Sequence, residues 1–265
     1  MISLIPFGLR SMLAYALVAG LAFALPAAAV EWQIEIVDGS GAGGTFTNIA
    51  LDIHGTPHFS YKSNYSQMYA TWDDFALDWQ TAVVDSGGGG SFGSGNSLAL
   101  DVMGRPHISY ARTLSVYALK YAYWNGAWQV QTVSAPGPVI EYTSIALDTF
   151  GRPRISYYER WSSPTSPASL KYAAWNGAFW QIQTIDTTGG RWSTLVLDGS
   201  DYPHISYYAG VGVLRYARWD GSNWQIEDVA TNAQMQKTSL ALDSLGRPHI
   251  SYSASGYYLT HAFWD

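Results

Sequence analysis

From about residue 30 onward, the chain is built of short apolar stretches rich in Ile, Val, Tyr and Trp, each bounded by Gly, Pro, Asn or Asp. Stretches of this length, bounded by turn-forming residues, are typical of β-strands. No stretch in this part of the chain repeats its apolar residues with a helical period over a length that would predict a helix. The pattern therefore predicts an all-β fold.

The strand pattern repeats five times along the chain. Each unit opens with an apolar segment ending in Asp, and a Pro follows that Asp by five residues. His-Ile-Ser-Tyr or a close variant, a Tyr-Ala-x-Trp segment and a Trp-Gln-x-x-x-Val segment come next. The repeated acidic residues are Asp52, Asp101, Asp148, Asp198 and Asp243, in steps of 49, 47, 50 and 45 residues. Four strands in each unit of this length predict a β-propeller.

Each Asp-x-x-Gly-x-Pro segment predicts a tight turn between the first and second strands of a unit. The Gly of the turn tolerates a positive φ, and Asp201 stands in its place in the fourth unit. We expect the repeated Asp side chains to accept hydrogen bonds from the amides of their own turns.

Four histidines occupy equivalent positions in the repeat and invite a metal-binding hypothesis. In a propeller, however, neighbouring members of the set would lie about 14 Å apart, whereas a metal–nitrogen bond measures about 2 Å. We therefore predict a structural role, with the turn Asp or a neighbouring backbone group as the candidate partner. The set is His58, His107, His204 and His249, with Arg154 at the remaining position.

The two ends of the repeat predict how the ring closes. The fifth unit stops after its third strand, at Trp264 and Asp265, while residues 32–37 have the sequence expected of a fourth strand. We therefore predict a five-bladed β-propeller of four-stranded blades over residues 30–265, in which the N-terminal strand completes the last blade and closes the ring. Closure would protect the edges of the sheets.

Residues 1–29 predict a secretory signal peptide. Arg10 precedes an apolar run from Ser11 to Leu25, and Pro26 is followed by three Ala residues suited to cleavage. A retained membrane anchor is the alternative, because residues 11–30 are long enough to span a bilayer. We expect cleavage, a secreted or periplasmic protein, and no membrane attachment afterwards.

Composition and charge narrow the possible partners. The 265-residue chain has 14 Lys and Arg against 20 Asp and Glu, a formal net charge of −6, and no Cys. An acidic balance argues against nucleic-acid binding, and the absence of Cys excludes disulfides. A composition of 15% aromatic and 13% charged residues excludes a disordered chain. We expect a monomer.

No motif predicts a cofactor or a metal. The glycine run at residues 87–90 lacks the Lys-Ser/Thr of a phosphate-binding loop. Asp73, Asp74 and Asp78 are a candidate for a weak cation site or for a solvated edge, of which the second is commoner.

These features resemble secreted bacterial β-propeller repeat proteins. The Asp-x-x-Gly-x-Pro turn is similar to the Asp-box turn, although its Asp-to-Gly spacing is one residue longer and Pro stands in the place of Thr. Five blades closed by a terminal strand also resemble five-bladed lectins of the tachylectin type. The resemblance implies the architecture of residues 30–265. Because propellers serve as lectins, glycosidases, lyases and scaffolds, it does not by itself choose a function.

The most variable loops indicate where a binding site would lie. Loops between the second and third strands range from 5 to 12 residues, whereas the Asp-to-Pro turns at the opposite face have a constant length. Binding groups are common on variable loops of a rigid scaffold, so we place the site on the variable-loop face.

Two tryptophans stand apart from the repeat. Ten of the twelve Trp residues belong to it and are expected to pack between blades; the exceptions are Trp161 and Trp192. Trp192 aligns with Tyr142 and Phe46. The predicted ligand-binding set has Trp161, Trp192 and Tyr142 for stacking on a sugar, and Glu159, Arg160 and Arg191 for bonding its hydroxyls.

The sequence thus favours a non-catalytic protein that binds carbohydrate or a glycosylated surface. One alternative is a glycoside hydrolase or sialidase-like enzyme, for which Glu141 and Glu159 are the candidate carboxylates. Another is a protein-interaction scaffold that uses the same face. The longest loop has twelve residues, which speaks against the insertions that propeller hydrolases generally carry.

Overall fold

A computed structural model describes residues 32–41, 43–64, 66–86, 92–112, 117–134, 136–161, 167–210 and 212–265. The predicted signal peptide and the glycine run at residues 87–90 lie outside the described residues. Nowhere in the described ranges is there a helix with the length and apolar character needed to cross a membrane.

The described residues form nineteen β-strands arranged in five antiparallel sheets. Sheet 1 contains β1 (Gly43–Leu51), β2 (Pro57–Ser63), β3 (Ser66–Asp73) and β4 (Asp78–Ser86). Sheet 2 contains β5 (Phe92–Leu100), β6 (Pro106–Arg112), β7 (Ala118–Trp124) and β8 (Trp128–Thr132). Sheet 3 contains β9 (Val139–Leu147), β10 (Pro153–Arg160), β11 (Ser169–Trp175) and β12 (Trp180–Asp186). Sheet 4 contains β13 (Arg191–Leu197), β14 (Pro203–Tyr208), β15 (Leu214–Trp219) and β16 (Trp224–Ala230). Sheet 5 contains β17 (Ser239–Leu242), β18 (Pro248–Ala254) and β19 (Tyr258–Phe263).

The sheets stand side by side around a common centre. Their first strands, β1, β5, β9, β13 and β17, contact one another in that order. Apolar side chains fill the spaces between neighbouring sheets, with Leu119, Ile155 and Tyr157 between sheets 2 and 3. The core is thus a series of inter-sheet layers that fix the position of each first strand.

Tryptophans at the start of the fourth strands pack between the sheets, as predicted. In three cases the indole meets a Tyr of the preceding sheet edge-on: Trp128 on Tyr69, Trp180 on Tyr121 and Trp224 on Tyr172, with ring centroids 5.2–5.4 Å apart. Edge-to-face pairs of this kind add to the gain from burial.

The Asp turns have the predicted geometry. Asp148 Oδ1 accepts hydrogen bonds from the backbone N–H groups of Phe150 (3.0 Å) and Arg152 (2.8 Å), and the other four turns repeat this pattern. Gly55 and its equivalents have positive φ, and Asp201 takes their place with a φ of 63°.

Each repeated histidine lies beside its turn Asp, with Nε2 3.5–3.9 Å from the carboxylate. His249 differs from the other three because its Nδ1 contacts His261 instead of a Tyr hydroxyl. His107 Nδ1 lies 2.5 Å from the Tyr121 hydroxyl, and its Nε2 lies 3.8 Å from the turn carboxylate of Asp101. Burial lowers the pKa of His107, although Asp101 opposes the shift, so the ring is neutral at pH 7. Among the described residues, no three His, Asp or Glu side chains come together as a metal site.

The predicted five-bladed ring of four-stranded blades, closed by the N-terminal strand, is wrong. Sheet 5 has three strands, and residues 32–40 form no strand and do not pair with β19. The packing gives a reason: Trp264, directly after β19, meets Tyr216 edge-on at 5.5 Å, in the place that a fourth-strand Trp takes against the other sheets. Trp32, the residue expected there, is 95% exposed.

The N-terminal segment lies against sheet 1 instead. Glu35 Oε2 accepts a hydrogen bond from Trp79 Nε1 (3.1 Å), and Asp38 Oδ2 accepts one from the Tyr61 hydroxyl (2.8 Å). These contacts match those that a fourth strand makes with the following sheet elsewhere. The sequence of this segment therefore specifies its contacts with sheet 1 but not the pairing with β19.

Candidate functional site

The starts of the five first strands surround a cavity of about 350 Å³ at the variable-loop face. Five residues, each six positions before a turn Asp, lie around it, and we call them the mouth ring. They are Phe46, Gly95, Tyr142, Trp192 and Lys237. Because each comes from a different sheet, the whole fold positions this ring.

The aromatic members of the mouth ring have an unusual backbone conformation. Phe46, Tyr142 and Trp192 have φ values of 54°, 53° and 50°, in a region that favours glycine. Each lies at a break in the register between the first and second strands of its sheet. Bulges of this kind redirect side chains and are frequent next to functional sites.

Polar residues of the neighbouring sheet hold these strained positions. Asn96 Nδ2 donates to the carbonyl of Phe46 (2.8 Å), Ser193 Oγ to that of Tyr142 (3.1 Å), and Thr238 Oγ1 to that of Trp192 (3.2 Å). We call Asn96, Ser193 and Thr238 the clamp residues. Each also bonds a fully buried Ser of the preceding sheet: Ser60, Ser156 and Ser206, respectively. The backbone that carries each aromatic side chain is thus held by hydrogen bonds of the protein itself.

We expect Thr238→Val to lower the free energy of unfolding by about 1–2 kcal/mol, because it leaves the buried Ser206 hydroxyl and the Trp192 carbonyl without their partner. Urea denaturation followed by tryptophan fluorescence measures the change. Thr184→Val is the matched control, since Thr184 is exposed and its hydroxyl accepts a hydrogen bond from the Lys171 ammonium. Equal free energies of unfolding for the two variants would contradict the role of Thr238 as a clamp residue.

Tyr142 and Trp192 form the largest aromatic surface of the mouth ring. Their ring centroids are 4.6 Å apart with an interplanar angle of 33°. The ring centroids of Tyr158 and Tyr142 are 6.1 Å apart, and the Arg191 guanidinium lies 5.3 Å from the Tyr158 ring centroid. An aromatic shelf beside a cation is a typical surface for a ligand with both apolar and polar faces.

The pKa of Tyr142 depends both on its burial and on the charges of neighbouring side chains. Burial raises the pKa of Tyr142, and Glu141 raises it further, whereas Arg191 and Arg160 lower it; the net shift is upward. Tyr142 therefore stays protonated as a hydrogen-bond donor throughout the neutral range.

Four members of the sequence-predicted site come together here: Tyr142, Trp192, Arg191 and Arg160. Two lie elsewhere. Trp161, which is 53% exposed, has its indole against Gly137, where an added Cβ would come within 3.1 Å of the ring. Glu159 forms an ion pair with Lys171 at 3.3 Å.

The two candidate catalytic carboxylates do not face each other. In the register of β9 and β10, Glu141 lies opposite Tyr158, whereas Glu159 lies opposite Ile140. Successive residues of a strand point to opposite faces of a sheet, so the two carboxylates lie on opposite faces of sheet 3. The arrangement does not place them on either side of one scissile bond.

Sequence reasoning missed the clamp residues and Lys237. A signal was available: the three clamp residues each stand five positions before a turn Asp, and Lys237 stands six before Asp243, the position that Trp192 and Tyr142 hold in their units. Asn, Ser and Thr share one role there because each reaches the carbonyl of the mouth-ring residue and a buried Ser of the neighbouring sheet. These distances between sheets cannot be read from the sequence.

Comparison with known proteins identifies the fold of the chain. No family model matches the chain, and no curated protein matches it. Solved structures do: a mutant of the Aleuria aurantia lectin in complex with Fucα1-6GlcNAc matches with a TM-score of 0.60 at 14% identity, over 84% of this chain and 76% of the lectin chain. The chain has a β-propeller fold.

Two further structures show the same likeness. A triple mutant of AofleA from Arthrobotrys oligospora matches with a TM-score of 0.57 at 14% identity, covering 89% of this chain and 74% of that one. The endo-arabinase of Bacteroides thetaiotaomicron matches with a TM-score of 0.53 at 12% identity, over 84% and 93%. The Aleuria aurantia lectin is described as six-bladed, which also counts against the five-bladed prediction.

Proposed function

We propose that the protein is an exported, monomeric, non-catalytic carbohydrate-binding protein, with residues 1–29 removed and the ligand held in the mouth ring. The observation that carries the proposal is the Tyr142–Trp192 pair, whose backbone is held at positive φ by hydrogen bonds from clamp residues. Preorganised aromatic groups bind without the entropic cost of ordering side chains.

The walls of the cavity suit a polyhydroxylated ligand. Ser144 and Thr194 line the cavity on sheets 3 and 4, and Asn48 and Asn96 line it on sheets 1 and 2. A sugar ring can lay its C–H face on Tyr142 and Trp192 while its hydroxyls bond these side chains. The likeness to the fucose-bound lectin supports carbohydrate as the class of partner.

The carboxylates favour binding over hydrolysis. Glycosidases place two carboxyl groups about 5–9 Å apart on either side of the scissile bond. Glu141 and Glu159 lie on opposite faces of sheet 3, and Glu159 is bonded to Lys171. This arrangement supports a protein that retains its ligand unchanged.

The test is a glycan-array screen of the purified protein, with calcium and with a chelator, followed by calorimetry on the hits. We expect Trp192→Ala to weaken binding by about 30-fold, as truncation of a central tryptophan costs about 2 kcal/mol or more. Trp161→Ala is the matched control and should bind normally.

Two results would contradict the proposal. Loss of binding in Trp161→Ala with normal binding in Trp192→Ala would move the site to the loop beside Gly137. A blank array would remove carbohydrate as the ligand class and leave a protein partner on the same face.

A further inference from the structure

Basic side chains lie in and around the mouth ring of a protein whose formal net charge is −6. Lys237 lines the cavity, and the positive charges of Arg191 and Arg160 lower the pKa of Tyr142, whereas the carboxylate of Glu141 raises it. On the side of sheet 1, Lys62 Nζ lies 5.9 Å from the ring centroid of Phe46. Positively charged side chains therefore lie next to the aromatic surface of the mouth ring.

Most other arginines of the described chain are neutralised by carboxylates. Arg105, Arg152, Arg154 and Arg247 bond turn Asp residues, and Arg112 and Arg215 pair with Asp85 and Asp186. These cations serve the fold. An arginine that is already paired with a carboxylate has its charge compensated and is less suited to bind an anionic ligand.

Arg191 differs from them. Within the described residues, no carboxylate oxygen lies within 4.0 Å of its guanidinium. Its direct contacts are neutral: Nη1 lies 3.0 Å from the sulfur of Met235, and the guanidinium carbon lies 5.3 Å from the centroid of the Tyr158 ring. The carboxylate of Glu141 acts on it from a greater distance and helps to raise its pKa. Sulfur is a weak acceptor, so the guanidinium retains strong donors for an oxygen ligand next to the Tyr142–Trp192 pair.

We propose that the saccharide bound at the mouth ring is acidic, and that the carboxylate of a hexuronate residue binds Arg191. This inference rests on the proposed carbohydrate function and deepens it. The planar guanidinium matches a carboxylate in two parallel hydrogen bonds, which are stronger than bonds between neutral groups. Lys237, in the next sector of the ring, adds attraction for the same charge.

The experiment compares matched sugars by calorimetry on the purified protein. The probes are oligosaccharides of galacturonate, glucuronate, mannuronate and guluronate, each beside its carboxyl-reduced form, and neutral oligosaccharides that carry sulfate esters. We expect at least one uronate to bind about 10-fold to 100-fold more tightly than its reduced form, because hydrogen bonds to a charged group typically contribute that much to affinity.

Variants assign the effect to Arg191. Arg191→Gln should reduce affinity for the uronate to that for the reduced sugar, and Lys237→Gln should weaken it by a smaller factor. Arg218→Gln is the matched control, because Arg218 also lies over an aromatic ring, 5.2 Å from that of Trp264, away from the cavity. It should bind normally. Thermal unfolding checks that each variant is folded.

Three results would overturn the inference: equal binding of the uronates and their reduced forms, unchanged uronate binding in Arg191→Gln, or binding that follows sulfate regardless of the carboxylate. In the first case, sensitivity of the neutral sugar to Trp192→Ala would leave the proposed function standing. If no saccharide binds, both proposals fall together.

Discussion

Replacing Asp186 with Ala is expected to lower the free energy of unfolding by about 2–3 kcal/mol, because it leaves the buried Tyr207 hydroxyl without its acceptor and removes one of the two carboxylates that pair with the half-buried Arg215. Asp186 Oδ2 accepts hydrogen bonds from the Tyr207 hydroxyl and from Arg215 Nη1, both at 2.8 Å. Its other oxygen accepts from the Thr188 amide and hydroxyl. Tyr207 is fully buried, so no water can replace the lost acceptor.

Asp228→Ala provides the matched control for this prediction. Asp228 bonds the same arginine, with Oδ1 2.5 Å from Arg215 Nε, but its side chain is 52% exposed. An exposed ion pair contributes about 1 kcal/mol or less. Urea denaturation of both variants measures the difference, and a similar loss in each would contradict the role assigned to burial.

The contribution of Asp186 should also depend on pH. Burial raises the pKa of this carboxyl, but the bonds from Arg215, Thr188 and Tyr207 outweigh burial and hold it below the ordinary value of 3.8. A carboxyl with a lowered pKa in the folded state stabilises fully above its unfolded value and loses that effect as the pH falls. The difference in stability between the wild type and Asp186→Ala should therefore narrow below about pH 4.

The repeat made most of the sheet structure predictable. The Asp turns and the histidines depend on contacts within one unit, such as the bonds from Asp148 to its own turn, and the same letters recur at the same spacing. Ring closure depends instead on contacts between the two ends of the chain. The fourth-strand sequence at residues 32–37 could not show that Trp264 already occupies the place beside Tyr216.

The candidate site was predictable only in part, for a similar reason. Aligning the repeats identified Trp192 and Tyr142, since both precede a turn Asp by six residues. It could not say which face of a strand each loop residue joins. The bulge at Tyr142 shifts the register of β9 by one residue, so the faces taken by Glu141 and Glu159 follow from the structure and not from counting along the sequence.

We expect Gly189→Ala to lower the free energy of unfolding by about 3 kcal/mol, at the upper end of the usual cost of overfilling a packed site. A Cβ at Gly189 would lie 2.5 Å from Ala209 Cα and 2.6 Å from the carbonyl oxygen of Tyr208. Both are backbone atoms, which cannot rotate away as a side chain would. The strand that starts two residues later would have to move.

Gly199→Ala separates this clash from the general effect of adding a methyl group. Gly199 also lies outside the positive-φ region, and an added Cβ there would meet no atom within 4 Å. Its stability should change by less than about 0.5 kcal/mol, as for ordinary surface substitutions. Equal effects of the two substitutions would show that close packing at Gly189 is not required.

The Gly189 substitution should also weaken ligand binding, whereas Gly199→Ala should leave it unchanged. Arg191 and Trp192 open β13, and Arg191 pairs directly with Tyr208, the residue that the new methyl group would displace. A shift of about 1 Å in this strand would move the guanidinium and the indole relative to Tyr142, and a binding geometry of this kind tolerates little displacement. Calorimetry on the folded variant, with whichever saccharide the wild type binds, tests whether the close approach at Gly189 sets the position of the site.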